Sequence, residues 1–140
     1  DAFYACRLME RLFGCGYVDW AVLLSAAERA SPATACRAAI VAVSLSRMFY
    51  ARVRWRLIDH GKPYFKKAAN IFIRTPPDIV ADVCVQLERW ERSFSADPEI
   101  LWSISRSISI IMAFVSAERQ DVAEAIYKKV RERGGRMLDR

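Results

Sequence analysis

The feature that most constrains the fold of this chain is the helical period of its apolar residues. They recur every three to four positions, and no stretch alternates cleanly between apolar and polar residues as a half-buried strand does. Only five Gly and five Pro occur in 140 residues, without a low-complexity tract, so we expect disorder only at the two ends. The sequence therefore predicts an all-α protein that forms a single domain over residues 1–140.

Helix boundaries are marked most clearly where a capping side chain precedes a proline, because proline lacks only an N–H that the first helical turn does not use. Such pairs are Ser31-Pro32, Thr75-Pro76 and Asp97-Pro98. Glycines mark helix ends, as at Gly61 and Gly134. Together these signals predict seven helices, at residues 2–13, 20–30, 32–60, 63–74, 77–95, 98–117 and 120–133. The loops between them are short, so we expect sequential helices to be antiparallel neighbours.

One segment, residues 103–110, carries a competing strand signal. Its four serines alternate with apolar residues, as on a half-exposed strand. Pro98 as a helix start and the length without turn residues favour a helix instead. We expect its small serines to allow close packing.

The spacing of the cysteines and the single histidine does not indicate a metal or cofactor site. The four cysteines lie at positions 6, 15, 36 and 84 without a C-x-x-C pair, and His60 is the single histidine. Four ligands at ordinary zinc spacing are therefore not available. We expect the cysteines to be buried, reduced thiols that pack as small hydrophobic residues.

The sequence contains no phosphate-binding loop, zinc-protease signature or nucleophile-elbow motif. His60 precedes Gly61, and a histidine at a helix C-terminus interacts favourably with the helix dipole. Glu88 and Glu91 are spaced as a carboxylate pair, but the neighbouring arginines are typical of a solvated helix face. The sequence therefore predicts a protein that is not an enzyme.

Positive charge is concentrated in one stretch of the chain. Between Arg47 and Arg74 there are eight Lys or Arg and a single carboxylate, Asp59, so this stretch carries +7 while the whole chain carries +6. A localised charge of this kind is typical of a binding surface. The predicted partner-binding residues are Arg47, Arg52, Arg54, Trp55, Arg56, Lys62, Lys66 and Lys67. A solvated or intramolecularly paired face, an acidic protein, lipid headgroups and nucleic acid all remain open as explanations, nucleic acid being the least favoured.

Repeat-like features occur at both ends of the chain. Read from Asp1, a tetratricopeptide frame of about 34 residues places at its signature positions Tyr4, Leu8, Leu24, Ala27 and Pro32. Read from Ile104, the frame places there Ile111, Phe114, Ala123, Tyr127 and Val130. The middle frames do not match. Residues 121–134 also resemble the second helix of a pentatricopeptide repeat, with a small, an aromatic and an aliphatic residue before a terminating glycine.

Seven short-looped helices, repeat-like ends, a basic helical middle and a first residue other than methionine together resemble the kinetoplastid mitochondrial family MIX. The resemblance covers the whole chain and concerns its organisation rather than a motif. It implies a mitochondrial inner-membrane location, with the anchor in a removed N-terminal segment. It also implies a tetratricopeptide-like domain associated with cytochrome c oxidase and needed for mitochondrial segregation. The family supplies no catalytic residues.

The leading functional prediction is a non-catalytic helical adaptor that binds an acidic protein, for which the resemblance suggests a cytochrome c oxidase subunit. Single-stranded RNA binding of the pentatricopeptide type is the alternative, although one repeat reads only about one base. An anionic membrane surface is a third candidate partner, since each basic residue near such a surface adds about 1 kcal/mol. A homodimer is also compatible with the sequence. The alternative to a mitochondrial location is a cytoplasmic one.

Overall fold

A computed structural model of the protein describes residues 25–51, 57–93 and 98–135. Residues 25–28 are helical, and five helices follow: α1 (Pro32–Ala51), α2 (Leu57–Arg74), α3 (Pro77–Ser93), α4 (Pro98–Glu118) and α5 (Gln120–Glu132). These described ranges contain no strand, which confirms the all-α prediction. The helix predicted at residues 2–13 lies outside them, so a total of seven helices is not confirmed.

Helix α4 lies at the centre of the bundle, where it packs against each of the other four helices. Among its described side chains, those that are buried are Ile104, Ser107, Ile108, Ile111, Met112 and Val115. A helix that is apolar over much of its circumference is stable only when neighbours surround it. Each fully buried aliphatic side chain contributes about 1.5–3 kcal/mol. The core therefore forms around α4.

The helix pairing departs from a simple series of hairpins. Helix α1 packs against α2 and α4, and α3 packs against α5, whereas the sequential helices α2 and α3 make little contact among the described residues. In a repeat array each unit contacts mainly its immediate neighbours. The prediction that all sequential helices are antiparallel neighbours is wrong for α2 and α3. A tetratricopeptide-like array is not confirmed.

The single helix predicted over residues 32–60 is wrong. Helix α1 ends at Ala51, α2 begins at Leu57, and the two pack against each other, so they cannot be parts of one straight helix. Gly61 does not end a helix, since it lies inside α2. Pro63 is also interior to α2, where a proline is normally unfavourable. Burial of a stripe further along α2 offsets this local cost; its members are Phe65, Ala68, Ala69 and Phe72.

The predicted helix starts agree with the structure at Pro32, Pro77 and Pro98. The capping residues agree less well. The Thr34 N–H donates to the Ser31 hydroxyl at 3.4 Å, as expected of a cap. The Thr75 hydroxyl instead donates to the Ile71 carbonyl at 2.6 Å, at the end of α2. The capping role predicted for Thr75 is therefore wrong.

The serine-rich segment is helical, as predicted, and lies within α4. Ser107 is fully buried, and its Oγ accepts a 2.8 Å hydrogen bond from the Ser44 hydroxyl of α1. The Ser44 hydroxyl also lies 2.9 Å from the Ile40 carbonyl oxygen of its own helix. The small polar side chains thus permit close packing and find partners inside the core.

Helix α5 ends in a glycine motif that fixes the chain against α3. Gly134 has a φ of 76°, and the Gly135 N–H donates to the Val130 carbonyl at 2.9 Å, as in a Schellman motif. A Cβ on Gly135 would lie 2.5 Å from Val130 Cγ1 and 3.0 Å from Val85 Cγ2 of α3. Gly135 is therefore required by close packing, and Gly134 by its backbone conformation.

Candidate functional site

The predicted partner-binding residues fall on two helices and the connection between them. Arg47 lies on α1, and Lys62, Lys66 and Lys67 lie on α2. The predicted residues Arg52, Arg54, Trp55 and Arg56 lie in the connection, outside the described residues. Among all eight residues, the structure describes the side chains of Lys66 and Lys67 only.

The helix ends that flank the most basic stretch of the sequence lie close together. Because α1 and α2 pack together and only residues 52–56 join them, the end of α1 and the start of α2 lie at the same end of the bundle. We call the region from Arg47 through residues 52–56 to Lys62 the basic end. Its charge is set by the sequence, and the structure describes the helix ends on either side of it.

The lysines and arginine farther along α2 serve different roles. Lys66 is exposed and forms no hydrogen bond or ion pair within the described ranges. The Lys67 ammonium donates to the Ser25 hydroxyl at 3.0 Å, and Arg74 forms a 2.9 Å ion pair with Glu28. Lys67 and Arg74 therefore connect α2 to the helical residues 25–28, which precede α1. Lys66 is therefore accessible to a partner, as the predicted docking role requires, whereas Lys67 is less accessible and already contacts Ser25.

The predicted solvated face at Glu88 and Glu91 is wrong. Glu88 is only 5% exposed and forms an ion pair with Arg92 one turn away. Glu91 accepts a hydrogen bond from Ser105 of α4, with both carboxylate oxygens 2.5 Å from the hydroxyl. Burial raises the pKa of Glu91, and the Ser105 hydrogen bond opposes this rise. These contacts connect α3 to α4.

The predicted C-terminal capping role of His60 is also wrong, because His60 is the fourth residue of α2 rather than its last. Cys36 and Cys84 are free and buried, as predicted, whereas the other two cysteines lie outside the described residues. Burial raises the pKa of both thiols, which disfavours the reactive thiolate.

No group of three or more His, Cys, Asp or Glu suited to a metal ion occurs in the described part of the chain. None of the helices formed by these residues is both long enough and apolar enough to cross a membrane.

A second cationic region appears where helices distant in sequence meet. The first turns of α1, one face of α3 and the end of α5 enclose an open cleft of about 660 Å³. Its charged lining residues are Arg37, Asp82, Arg89 and Arg133. Sequence reasoning missed this site because its three arginines are about fifty residues apart and form no local charge cluster. We call it the arginine cleft.

Side chains of α3 position two of the three cleft arginines, Arg133 and Arg37. The Arg133 guanidinium donates to Asp82 at 2.5 Å and to Asp78 at 3.0 Å. One turn farther along α3, Gln86 Oε1 accepts hydrogen bonds from Arg37 Nε at 3.3 Å and from Nη2 at 2.8 Å. Arg89 follows three residues later, on the same helix face.

Ion pairs also join carboxylates of α3 to cations at the end of α5, a contact that we call the α3–α5 junction. Asp78 accepts from both Lys129 and Arg133 of the α5 end. The pKa of Asp78 is lowered most by the hydrogen bond from Lys129 and next by the hydrogen bond from Arg133. The α3–α5 junction is thus compensated by carboxylates, whereas Arg37 and Arg89 form no ion pair within the described ranges.

No family model, no curated protein and no solved structure matches this chain.

Proposed function

We propose that the protein is a non-catalytic helical adaptor that binds an acidic protein partner through its basic end. The observation that carries this proposal is the charge between Arg47 and Lys67, the stretch made of the basic end together with the nearby Lys66 and Lys67 of α2. This stretch contains seven Lys or Arg and one carboxylate, so its +6 equals the net charge of the whole chain. The packing of α1 against α2 supports the gathering of this charge at one end of the bundle.

Elsewhere in the described part of the chain, many basic side chains have a carboxylate partner. Ion pairs join Arg74 to Glu28, Arg92 to Glu88, Arg119 to Asp121, and Arg133 to Asp78 and Asp82. The stretch from Arg47 to Lys67 contains only Asp59 to compensate its seven cations. Excess charge of one sign attracts an oppositely charged partner from a distance and increases the association rate. This supports an acidic partner rather than an apolar one.

The core supports an adaptor in a second way. The helices are joined by buried apolar packing around α4 and by the α3–α5 ion pairs, which makes a stable platform for a surface site. A tetratricopeptide-like array stays a prediction for its finer architecture. The mitochondrial inner-membrane location and a cytochrome c oxidase subunit as the partner also stay predictions, which derive from the resemblance to the MIX family.

Affinity capture with the tagged full chain tests the proposal. The chain is used to recover proteins from an extract of the source organism at low and at high salt. We expect one acidic protein in stoichiometric amount, with less recovered at high salt because ions screen exposed charges beyond about 10 Å at 0.1 M. Recovery of no stoichiometric protein, together with turnover of a small molecule, would contradict the adaptor function.

Single-stranded RNA binding remains the alternative, and the basic end is the observation that favours it. The pentatricopeptide-like residues do not add support, because Ala123 and Val130 are buried and Tyr127 packs against the core. A salt titration distinguishes the alternatives. Phosphate contacts give a steep negative slope of log K against log salt concentration. RNA affinity no greater than that of an equally basic control protein would eliminate this alternative.

Vesicle co-sedimentation tests an anionic membrane surface as the partner. Electrostatic binding requires more protein on vesicles that contain cardiolipin than on neutral vesicles. Equal binding to the two kinds of vesicle would exclude it.

A further inference from the structure

The arginine cleft lies apart from the basic end and has a chemistry of its own. We propose that it binds a small organic oxyanion, a carboxylate or a phosphate ester with an apolar body, between Arg37 and Arg89. This site is independent of the proposed adaptor function, since Arg37 lies ten residues before Arg47 on α1. At about 1.5 Å per helical residue, that separation is about 15 Å.

Arg37 is positioned without being neutralised. Its Nε and Nη2 both donate to the Gln86 side-chain oxygen, which is a neutral acceptor. Two hydrogen bonds to one acceptor restrict the guanidinium while leaving its positive charge uncompensated. The Nη1 group makes no hydrogen bond within the described ranges. A guanidinium held in this way is prepared for an anionic oxygen, which forms shorter and stronger hydrogen bonds than a neutral one.

Arg89 supplies the second cation. It is exposed, three residues after Gln86 on α3, and its guanidinium has no hydrogen-bond or ion-pair partner among the residues that the structure describes. Long basic side chains are mobile when unpaired, so Arg89 can close over a ligand held by Arg37. Two guanidinium groups that line one cleft favour a carboxylate or phosphate because their planar donors match its oxygens.

The charge balance of the lining excludes a cationic ligand. The lining contains three arginines and the single carboxylate Asp82. Asp82 accepts from Arg133, which also accounts for the charge of that arginine. The remaining charges of the cleft are therefore the two positive ones of Arg37 and Arg89.

The apolar part of the lining limits the kind of anion. Pro32, Ala33 and Ile79 line the cleft beside the arginines and retain some exposure. The volume of about 660 Å³ is within the range of small-molecule sites, about 300–1,000 Å³, and far exceeds that of a single phosphate. A ligand that fills the cleft therefore needs an apolar body in addition to its charged group.

Titration of the isotope-labelled full chain with three probes tests this site by NMR. The probes are phenyl phosphate, benzoate and inorganic phosphate. The side-chain amide of Gln86 reports directly on the position of Arg37. We expect saturable shifts at Gln86 and Ala33 with phenyl phosphate or benzoate, and weaker binding of inorganic phosphate, which lacks the apolar body. The stronger of the two organic probes identifies the preferred charged group.

Two double variants make the test specific. Arg37→Gln with Arg89→Gln is expected to weaken binding at least about tenfold, because both charge-assisted contacts are lost. The control, Lys128→Gln with Arg131→Gln, removes the same charge from exposed positions on α5 that do not line the cleft. The control should bind as the wild type does, and melting curves should show that both variants fold.

Either of two results would overturn the site: no saturable binding of an organic probe, or equal weakening in the two double variants. Inorganic phosphate binding as tightly as phenyl phosphate would overturn the requirement for an apolar body. None of these outcomes bears on capture of a protein by the basic end, so the two proposals fail separately.

Discussion

The two cationic regions of this protein lie toward opposite ends of α1 and arise in different ways. The basic end is contiguous in sequence, with several cations within a few residues and one carboxylate, Asp59, nearby. The arginine cleft forms only when α1, α3 and α5 meet, and one of its three arginines is neutralised by carboxylates of α3. A charge run in a sequence thus locates one kind of binding surface and misses the other.

The two regions also differ in their relation to stability. At the cleft, Arg133 joins α3 to α5, beside the close contact of Gly135 with Val85. The basic end instead carries five cations and one carboxylate, Asp59, so repulsion among like charges is expected there. We therefore expect substitutions at the α3–α5 junction to affect folding, and substitutions at the basic end to affect binding.

The largest expected effect is that of Gly135→Ala. Its Cβ would lie 2.5 Å from Val130 Cγ1 of α5 and 3.0 Å from Val85 Cγ2 of α3, so the end of α5 must move or accept overpacking, which typically costs about 1–3 kcal/mol. Gly134→Ala is the matched control, since it meets no atom within 4 Å and carries only the strain of a φ of 76°. Urea unfolding should show the larger loss for Gly135→Ala. Equal losses would show that the close contact of Gly135 costs no more than the backbone strain at Gly134, which would contradict the packing argument.

A smaller effect is expected for Arg133→Gln, which removes ion pairs with Asp78 and Asp82 of α3. The melting midpoint should fall by less than for Gly135→Ala, because both carboxylates are largely exposed and can be hydrated instead. Arg131→Gln, on the exposed part of the same turn, should leave the midpoint unchanged. If Arg131→Gln lowered the melting midpoint as much as Arg133→Gln, the cause would be a general effect of charge rather than the ion pairs of the junction.

The pH dependence of Asp78 offers a further test of the junction. Its pKa is lowered in the folded protein, so its stabilising contribution is present above the unfolded pKa of about 3.9 and is lost as pH falls through the folded value. In Asp78→Asn, unfolding measured from pH 5 downward should therefore show a weaker dependence on pH than in wild type. An unchanged dependence would mean that the ion pairs contribute nothing to folding.

Glu91 should behave in the opposite sense, with a still smaller effect. Its pKa is raised by burial, so its ionisation reduces stability as pH rises through the ordinary range of glutamate. Glu91→Gln keeps a side chain that can bond Ser105 and removes the charge. We expect it to be as stable as wild type or slightly more stable at pH 7. A clear loss of stability would show that the charged form is required between α3 and α4.

Sequence reasoning succeeded where local chemistry decides the structure. The starts at Pro32, Pro77 and Pro98 follow from the fixed φ and missing N–H of proline. It failed where tertiary packing overrides local preference. Gly61 and Pro63 look like breakers, yet both lie in α2, because the buried stripe that begins at Phe65 stabilises the helix that contains them.

The candidate sites show the same division. The charge of the basic end is visible in the sequence, but the approach of the two helix ends that flank it depends on the break between α1 and α2. The arginine cleft could not be predicted, because no periodicity relates Arg37 to Arg89 and their proximity depends on how α1 and α3 pack. The burial of Glu88 escaped prediction for a similar reason, since its charged neighbours suggest an exposed face.

The central claim, that the basic end is a docking surface, is tested most directly by replacing Arg52, Arg54 and Arg56 together with Gln. The matched control replaces three exposed cations elsewhere, Arg29, Lys128 and Arg131, with Gln. Both variants and the wild type are melted by circular dichroism and used to capture proteins from the same extract. Comparison at equal net charge separates the location of charge from its amount.

We expect the variant with the three substitutions at the basic end to melt within a few degrees of wild type and to retain at least about tenfold less of the acidic partner. The control should retain as much partner as the wild type. Equal loss of the partner in both variants would show that net charge, rather than the basic end, attracts it. A large fall in the melting midpoint of the basic-end variant would show that these arginines are part of the scaffold, which would contradict the proposed docking surface.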